Sequence, residues 1–208
     1  MPDTRRVACC KPSEVRGALA LVVGPSGAGK DALINGARDC LGDSGPYYFA
    51  RRVITRDRTP ASSEQHTPVR KSEFDQAQAA GEYFLHWQAH GTKYAIPSRA
   101  LEELRSGRVV VANVSRTILT DALRHDDDAT IIQVTASASV RAERLANRGR
   151  ETAADVADRL SRSVSIECLG ARIVTIDNSG SLEFGTEAMV SALRDIASRR
   201  RAASGERS

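Results

Sequence analysis

The stretch Gly24-Pro25-Ser26-Gly27-Ala28-Gly29-Lys30 combines residue types and spacing that suit one kind of chemistry, the binding of phosphate. It fits G-x-x-x-x-G-K and lies between an unbroken apolar run, Ala18–Val23, and a helical pattern over Lys30–Leu41. The glycines permit torsions that turn successive backbone N–H groups inward, and such a nest at a helix N-terminus attracts anions. Lys30 would then reach the β- and γ-phosphates of a nucleoside triphosphate, which makes it the first catalytic candidate. Asp31 stands where Ser or Thr usually ligates Mg2+. A carboxylate beside a triphosphate needs a cation between them. The strand candidates offer no clear acid for that task, since Val109–Val114 carries Asn113 and Thr130–Thr135 ends without one. Asp31 is expected to help hold Mg2+, directly or through water. The competing reading is an acid that only complements the helix dipole.

These residues need a scaffold, and the 208-residue chain is long enough to supply one. A domain of this size buries roughly 70% of its unfolded surface, so neither disulfides nor a structural metal is required. Hydrophobic content of 41% and charged content of 27% fit a globular protein. The longest apolar run, Ala18–Val23, is too short to cross a membrane, and residues 1–16 lack the apolar centre of a secretory signal. A cytoplasmic protein is expected. Cys9, Cys10, Cys40 and Cys168 form no C-x-x-C pair and read as free thiols. A net charge of +4 suits partners that are polyanions. With only 4% aromatic residues and no stacking motif, small phosphorylated molecules are the expected partners rather than nucleic acid.

Apolar periodicity places strands at Ala18–Val23, Tyr48–Ile54, Val109–Val114, Thr130–Thr135 and Arg172–Ile176. Helices are expected near Lys30–Leu41, Ser72–Ala80, Leu101–Arg105, Ile118–Leu123, Val140–Asn147, Val156–Leu169 and Leu182–Ser198. Tyr83–Trp87 and Lys93–Ile96 read as a hairpin around Gly91, and Thr55–Arg70 as a loop. Alternating strands and helices predict an α/β fold with a mainly parallel central sheet flanked by helices. The expected organisation is a flexible leader over 1–16, one domain over 17–198 and a basic tail over 199–208. Within the domain, residues 17–54 and 101–198 form the core, and about 55–100 an inserted acceptor-binding subdomain. About 144–160 would form a helical lid.

Further segments, in order, carry a resemblance: Arg52-Val53-Ile54-Thr55-Arg56, Gly91-Thr92-Lys93-Tyr94-Ala95-Ile96-Pro97, Asn113-Val114-Ser115-Arg116, Arg144-Leu145-Ala146-Asn147-Arg148-Gly149-Arg150 and Asp177-Asn178-Ser179-Gly180-Ser181-Leu182. Together with G-P-S-G-A-G-K-D they make the chain similar to the guanylate-kinase branch of P-loop kinases over about residues 18–197. Within that branch it more closely resembles the ribose 1,5-bisphosphate phosphokinases of phosphonate catabolism. Where guanylate kinases carry a guanine-reading glutamate, this chain has His86 in Leu85-His86-Trp87. Where they carry an acid on the strand matching Val109–Val114, it has Asn113. Both changes delete acceptors for guanine N–H groups, leaving guanylate kinase as the alternative. A catalytically silent binding module of the same fold is a further alternative, though such modules usually degrade the loop that is intact here.

The resemblance implies that ATP and ribose 1,5-bisphosphate react, with Mg2+, to give 5-phospho-α-D-ribose 1-diphosphate and ADP. An acceptor with two phosphates and no base calls for guanidinium groups. The middle segment supplies Arg51, Arg52, Arg56, Arg58, Arg70, Lys71 and Lys93. Arg52, Thr55, Arg56, Arg58, Tyr94 and Asn113 are the expected acceptor contacts. No base is needed, because the attacking phosphate oxygen is already anionic, so His66, His86, His90 and His125 are not assigned as bases. His86 is either a sugar-site residue or an ordinary histidine, and Glu64 a weak match to a substrate-loop acid. Arg148 and Arg159 match the lid pattern and would meet the transferring phosphoryl group. Asn178 follows the last strand, where the family places contacts near the adenine.

Overall fold

The computed structural model describes residues 17–55, 66–89, 91–126, 128–146 and 169–205. Ala18–Val23 forms β1, buried at every position, and it occupies the middle of a five-stranded sheet. Its neighbours are β7 (Val109–Asn113) and β8 (Thr130–Thr135), flanked by β2 (Tyr47–Phe49) and β9 (Arg172–Asp177) in the order β2-β7-β1-β8-β9. All four pairings are parallel, as the alternation of strands and helices predicts. The unbroken apolar run follows from this position. Ala18, Ala20 and Val22 enter one core with Leu33, Met189 and Leu193, while Leu19, Leu21 and Val23 enter the other with Leu104, Leu119 and Ile131.

The first core lies beneath α1 (Lys30–Leu41) and α6 (Leu182–Gly205), the second beneath α3 (Arg99–Arg105) and α4 (Leu119–Leu123). A short 3-10 turn, Arg116–Ile118, leads into α4, and α5 (Ala138–Ala146) follows β8. Helices α1 and α6 approach closely: a Cβ on Gly36 would come within 2.7 Å of the Thr186 hydroxyl.

A second sheet, ordered β4-β3-β6-β5, comprises β3 (Arg52–Thr55), β4 (His66–Val69), β5 (Tyr83–Ala89) and β6 (Thr92–Pro97). Phe74 of α2 (Lys71–Ala79) packs on one face with Val53 and Ala95. The hairpin expected around Gly91 is present, with that glycine at φ +71°. Two expectations need correction. Tyr48–Ile54 is not one strand: Tyr47–Phe49 belongs to the large sheet and Arg52–Thr55 to the small one, with Ala50 and Arg51 crossing between. Continuous β-propensity hides such a switch of sheets. The expected loop over Thr55–Arg70 contains β4, whose Pro68 is tolerated because this is an edge strand. Residues 147–168, and with them all but the last residue of the helix expected over Val156–Leu169, lie outside the described residues.

Helix α6 runs through the arginine run to Gly205, and Arg200 is less solvated than its sequence suggests. Its guanidinium donates to the Gly17 carbonyl at 2.7 Å and pairs with buried Asp126 at 3.3 Å and with Asp128 at 3.3 Å. Asp126 in turn accepts the Leu19 amide at 2.8 Å, continuing the ladder beside β1 before β8 begins. Asp126→Ala would orphan that amide and strip Arg200 of its inner partner. It is expected to cost about 3 kcal/mol in urea unfolding. A loss below about 1 kcal/mol would mean that water replaces the carboxylate there.

Candidate active site

The phosphate loop leaves the carboxyl end of β1 and enters α1. Gly24 and Gly29 are at φ +153° and +88°, and a Cβ at either would meet other atoms at once. At Gly24 it would lie 2.1 Å from the Val134 carbonyl oxygen, and at Gly29 2.3 Å from the Asn178 side-chain nitrogen. Lys30 folds back over the loop and donates from Nζ to the carbonyls of Gly24 at 2.7 Å and Pro25 at 3.1 Å. Arg144, on the last turn of α5, reaches the Gly27 carbonyl at 3.5 Å.

Asn178 is placed differently from the expectation of an adenine-side contact. Its side chain is buried beneath the loop, with Nδ2 donating to the Ala28 carbonyl at 2.8 Å, while its backbone N–H donates to Thr135 at 2.8 Å. The physical reason is room. Gly29 above and Gly185 on α6 leave the space the amide fills, and a Cβ on Gly185 would stand 2.7 Å from its Oδ1.

Asp31, Arg52 and Asn113 come together from α1, β3 and β7. The Asp31 Oδ1 accepts from the Arg52 guanidinium at 3.1 Å and from the Asn113 amide at 2.7 Å. Asn113 is buried, and its own Oδ1 accepts no hydrogen bond. This set fits Mg2+ in chemistry, since the second Asp31 oxygen and the buried Asn113 oxygen are both hard acceptors without a donor among the described residues. No cluster of three or more His, Cys, Asp or Glu suited to a metal occurs among the described residues.

Thr55 and Tyr94, by contrast, lie on opposite faces of the small sheet. Tyr94 is paired across from Ile54 on the Arg52 side and stacks on Trp87, with ring centroids 5.5 Å apart. The Thr55 hydroxyl accepts the Lys93 amide at 2.8 Å. His86 is exposed opposite Ala95, on the face of Val53 and Phe74 and away from the Arg52–Asp31 pair. Arg56, Arg58, Glu64, Arg148 and Arg159 lie outside the described residues.

Two residues missed in the sequence border the same place. Asn35 and Arg38 line a small cavity of about 20 Å³ together with Asp31, Asn113 and Arg51, the last already counted among the middle-segment cations. Asn35 and Arg38 follow Asp31 by four and seven positions, so the helical period of α1 already put them on its face.

No protein-family model matches the chain. It is 41% identical over 182 residues to a protein of Brucella melitensis named ribose 1,5-bisphosphate phosphokinase PhnN, covering 88% of this chain and 94% of that one. A protein of the same name from a Chelativorans species is 44% identical over 183 residues, covering 88% and 87%. Among solved structures, a guanylate kinase from Anaplasma phagocytophilum has the same fold, with TM-score 0.60, 16% identity and 86% of each chain covered.

Proposed function

Because the chain belongs to the ribose 1,5-bisphosphate phosphokinase (PhnN) family, we propose that it is a phosphotransferase moving the γ-phosphoryl group of ATP onto ribose 1,5-bisphosphate. An anionic oxygen of the acceptor's C1 phosphate attacks the γ-phosphorus, the bond to the β,γ-bridging oxygen breaks, and ADP leaves. The products are 5-phospho-α-D-ribose 1-diphosphate and ADP. The work left to the protein is in-line placement and neutralisation of charge.

Lys30 exchanges the Gly24 and Pro25 carbonyls for β- and γ-phosphate oxygens, with the glycine loop supplying N–H donors. Arg144 stands on the loop's flank as a second cation, and Arg148 and Arg159 are proposed to act from the lid. Asp31 and Asn113 would hold Mg2+, which supplies charge neutralisation between the phosphates. Arg52 and Tyr94, which share a face of the small sheet, are assigned to the acceptor with Arg56 and Arg58, while Thr55 on the other face is left to hold the Lys93 amide. Asn178 holds the loop from below rather than the nucleotide. No helix among the described residues is long and apolar enough to cross a membrane. The proposed compartment is the cytoplasm, and the proposed partners are small phosphorylated molecules rather than nucleic acid.

The observation that favours an acceptor without a base is the state of the two positions at which guanylate kinases carry acids. Asn113 commits its amide to Asp31, and His86 projects from the face away from the loop's carboxylate. Neither offers a carboxylate to guanine. The purified protein is expected to form ADP from ATP with ribose 1,5-bisphosphate and at least 10²-fold more slowly with GMP, about the discrimination expected when buried polar readout is lost. Faster turnover of GMP would reverse the assignment.

A further inference from the structure

We propose that Arg52 is an exchangeable counter-ion of Asp31. Asp31 holds the guanidinium in the nucleotide-free protein and releases it when a divalent cation arrives with the nucleotide, and the freed Arg52 then takes an acceptor phosphate. The last step rests on the acceptor named above; the exchange itself does not.

Three observations carry the idea. The Asp31 Oδ1 already accepts from both Arg52 and Asn113, so a cation arriving at the open second oxygen meets a carboxylate whose charge is already offset by Arg52. Both ionic side chains are partly exposed, 15% for Arg52 and 26% for Asp31, so the pair can part without stranding a fully buried charge. Asn113 is neutral and stays in place, its buried Oδ1 accepting nothing in the present arrangement. A guanidinium and a divalent cation compete for one carboxylate. When the cation wins, Arg52 is left mostly shielded from water on the Tyr94 side of the small sheet, without its partner. A phosphate is the group whose geometry and charge best replace that partner. Asp31 then couples the two substrates: metal-nucleotide binding raises acceptor affinity, and by linkage the acceptor raises metal-nucleotide affinity equally. A carboxylate serving only the helix dipole would give no such coupling.

The first test needs no acceptor. Mn2+ binding to the ADP-loaded protein, followed by electron paramagnetic resonance, is expected to tighten roughly tenfold in Arg52→Met and to weaken in Asp31→Asn. Thermal melts establish that both variants fold. Unchanged or weaker Mn2+ binding in Arg52→Met overturns the exchange. The second test titrates ribose 1,5-bisphosphate into nucleotide-free protein by calorimetry. Asp31→Asn is expected to tighten binding roughly tenfold by releasing Arg52, and to do nothing in the Arg52→Met background. Equal tightening in both backgrounds would mean that the lost negative charge acts through its field, and the release of Arg52 would be wrong. If the sugar fails to bind even with Mg·ADP while the Mn2+ result holds, the acceptor assignment falls and the exchange stands.

Discussion

Lys30→Met is expected to lower kcat/KM for ATP by roughly 10³-fold while leaving the melting curve close to that of the unaltered protein. The two halves of this expectation have different origins. In the nucleotide-free structure the ammonium group donates to the Gly24 and Pro25 carbonyls, on a loop that is only partly buried. Water can take over those carbonyls, so the fold loses about 1 kcal/mol or less. On the phosphates the same ammonium is a fixed positive charge where negative charge is being transferred, and methionine supplies the stem without it. Arginine is not expected to rescue, because its planar fork is too large for a point-charge site between two loop carbonyls. Steady-state kinetics of both variants with saturating acceptor make the comparison. A loss below tenfold in Lys30→Met would show that the loop's N–H groups and Arg144 carry the phosphates without it.

The parts of the fold written most clearly in the residues are those that local pattern dictates. An unbroken apolar strand followed by G-x-x-x-x-G-K marks the centre of a parallel sheet and the phosphate loop together, because burial on both faces and a nest of N–H groups each impose a one-dimensional signature. What pattern does not carry is the meeting of distant elements. Nothing in the spacing of Asp31, Arg52 and Asn113 announces that one carboxylate oxygen receives both donors, since the three are joined only by the packing of α1, β3 and β7. The division of Tyr47–Thr55 between two sheets was hidden for the same reason, as its β-propensity is the same on either side of Ala50 and Arg51. Asp126 shows the limit most simply. It sits in a run of three acids that reads as solvent-facing, yet its carboxylate completes the hydrogen bonding of Leu19 and Arg200.

Asn178→Asp is the second large effect, and it separates a loop-positioning residue from an adenine contact. The native amide gives its proton donor to the Ala28 carbonyl in a place closed by Gly29 and Gly185. An ionised aspartate there would set a carboxylate oxygen against a carbonyl oxygen in a site with little access to water. The loss expected near neutral pH is about 3 kcal/mol of stability and roughly 10²-fold in kcat/KM for ATP, because the loop that carries the N–H donors must move. The acceptor KM is expected to change far less, since the residue lies beneath the nucleotide loop and away from β3 and β6. Burial and the facing carbonyl raise the folded-state pKa of the new carboxyl above its unfolded value, so lowering the pH protonates it in the folded protein first. The neutral acid can donate to Ala28 as the amide did, and both the melting temperature and ATP turnover are expected to recover relative to the native protein as the pH falls. A simple adenine contact would instead raise the KM for ATP with little loss of stability and no acid rescue. Melting curves and initial rates measured across pH for the native protein and Asn178→Asp decide between them, and an unchanged melting curve near neutral pH would overturn the positioning role.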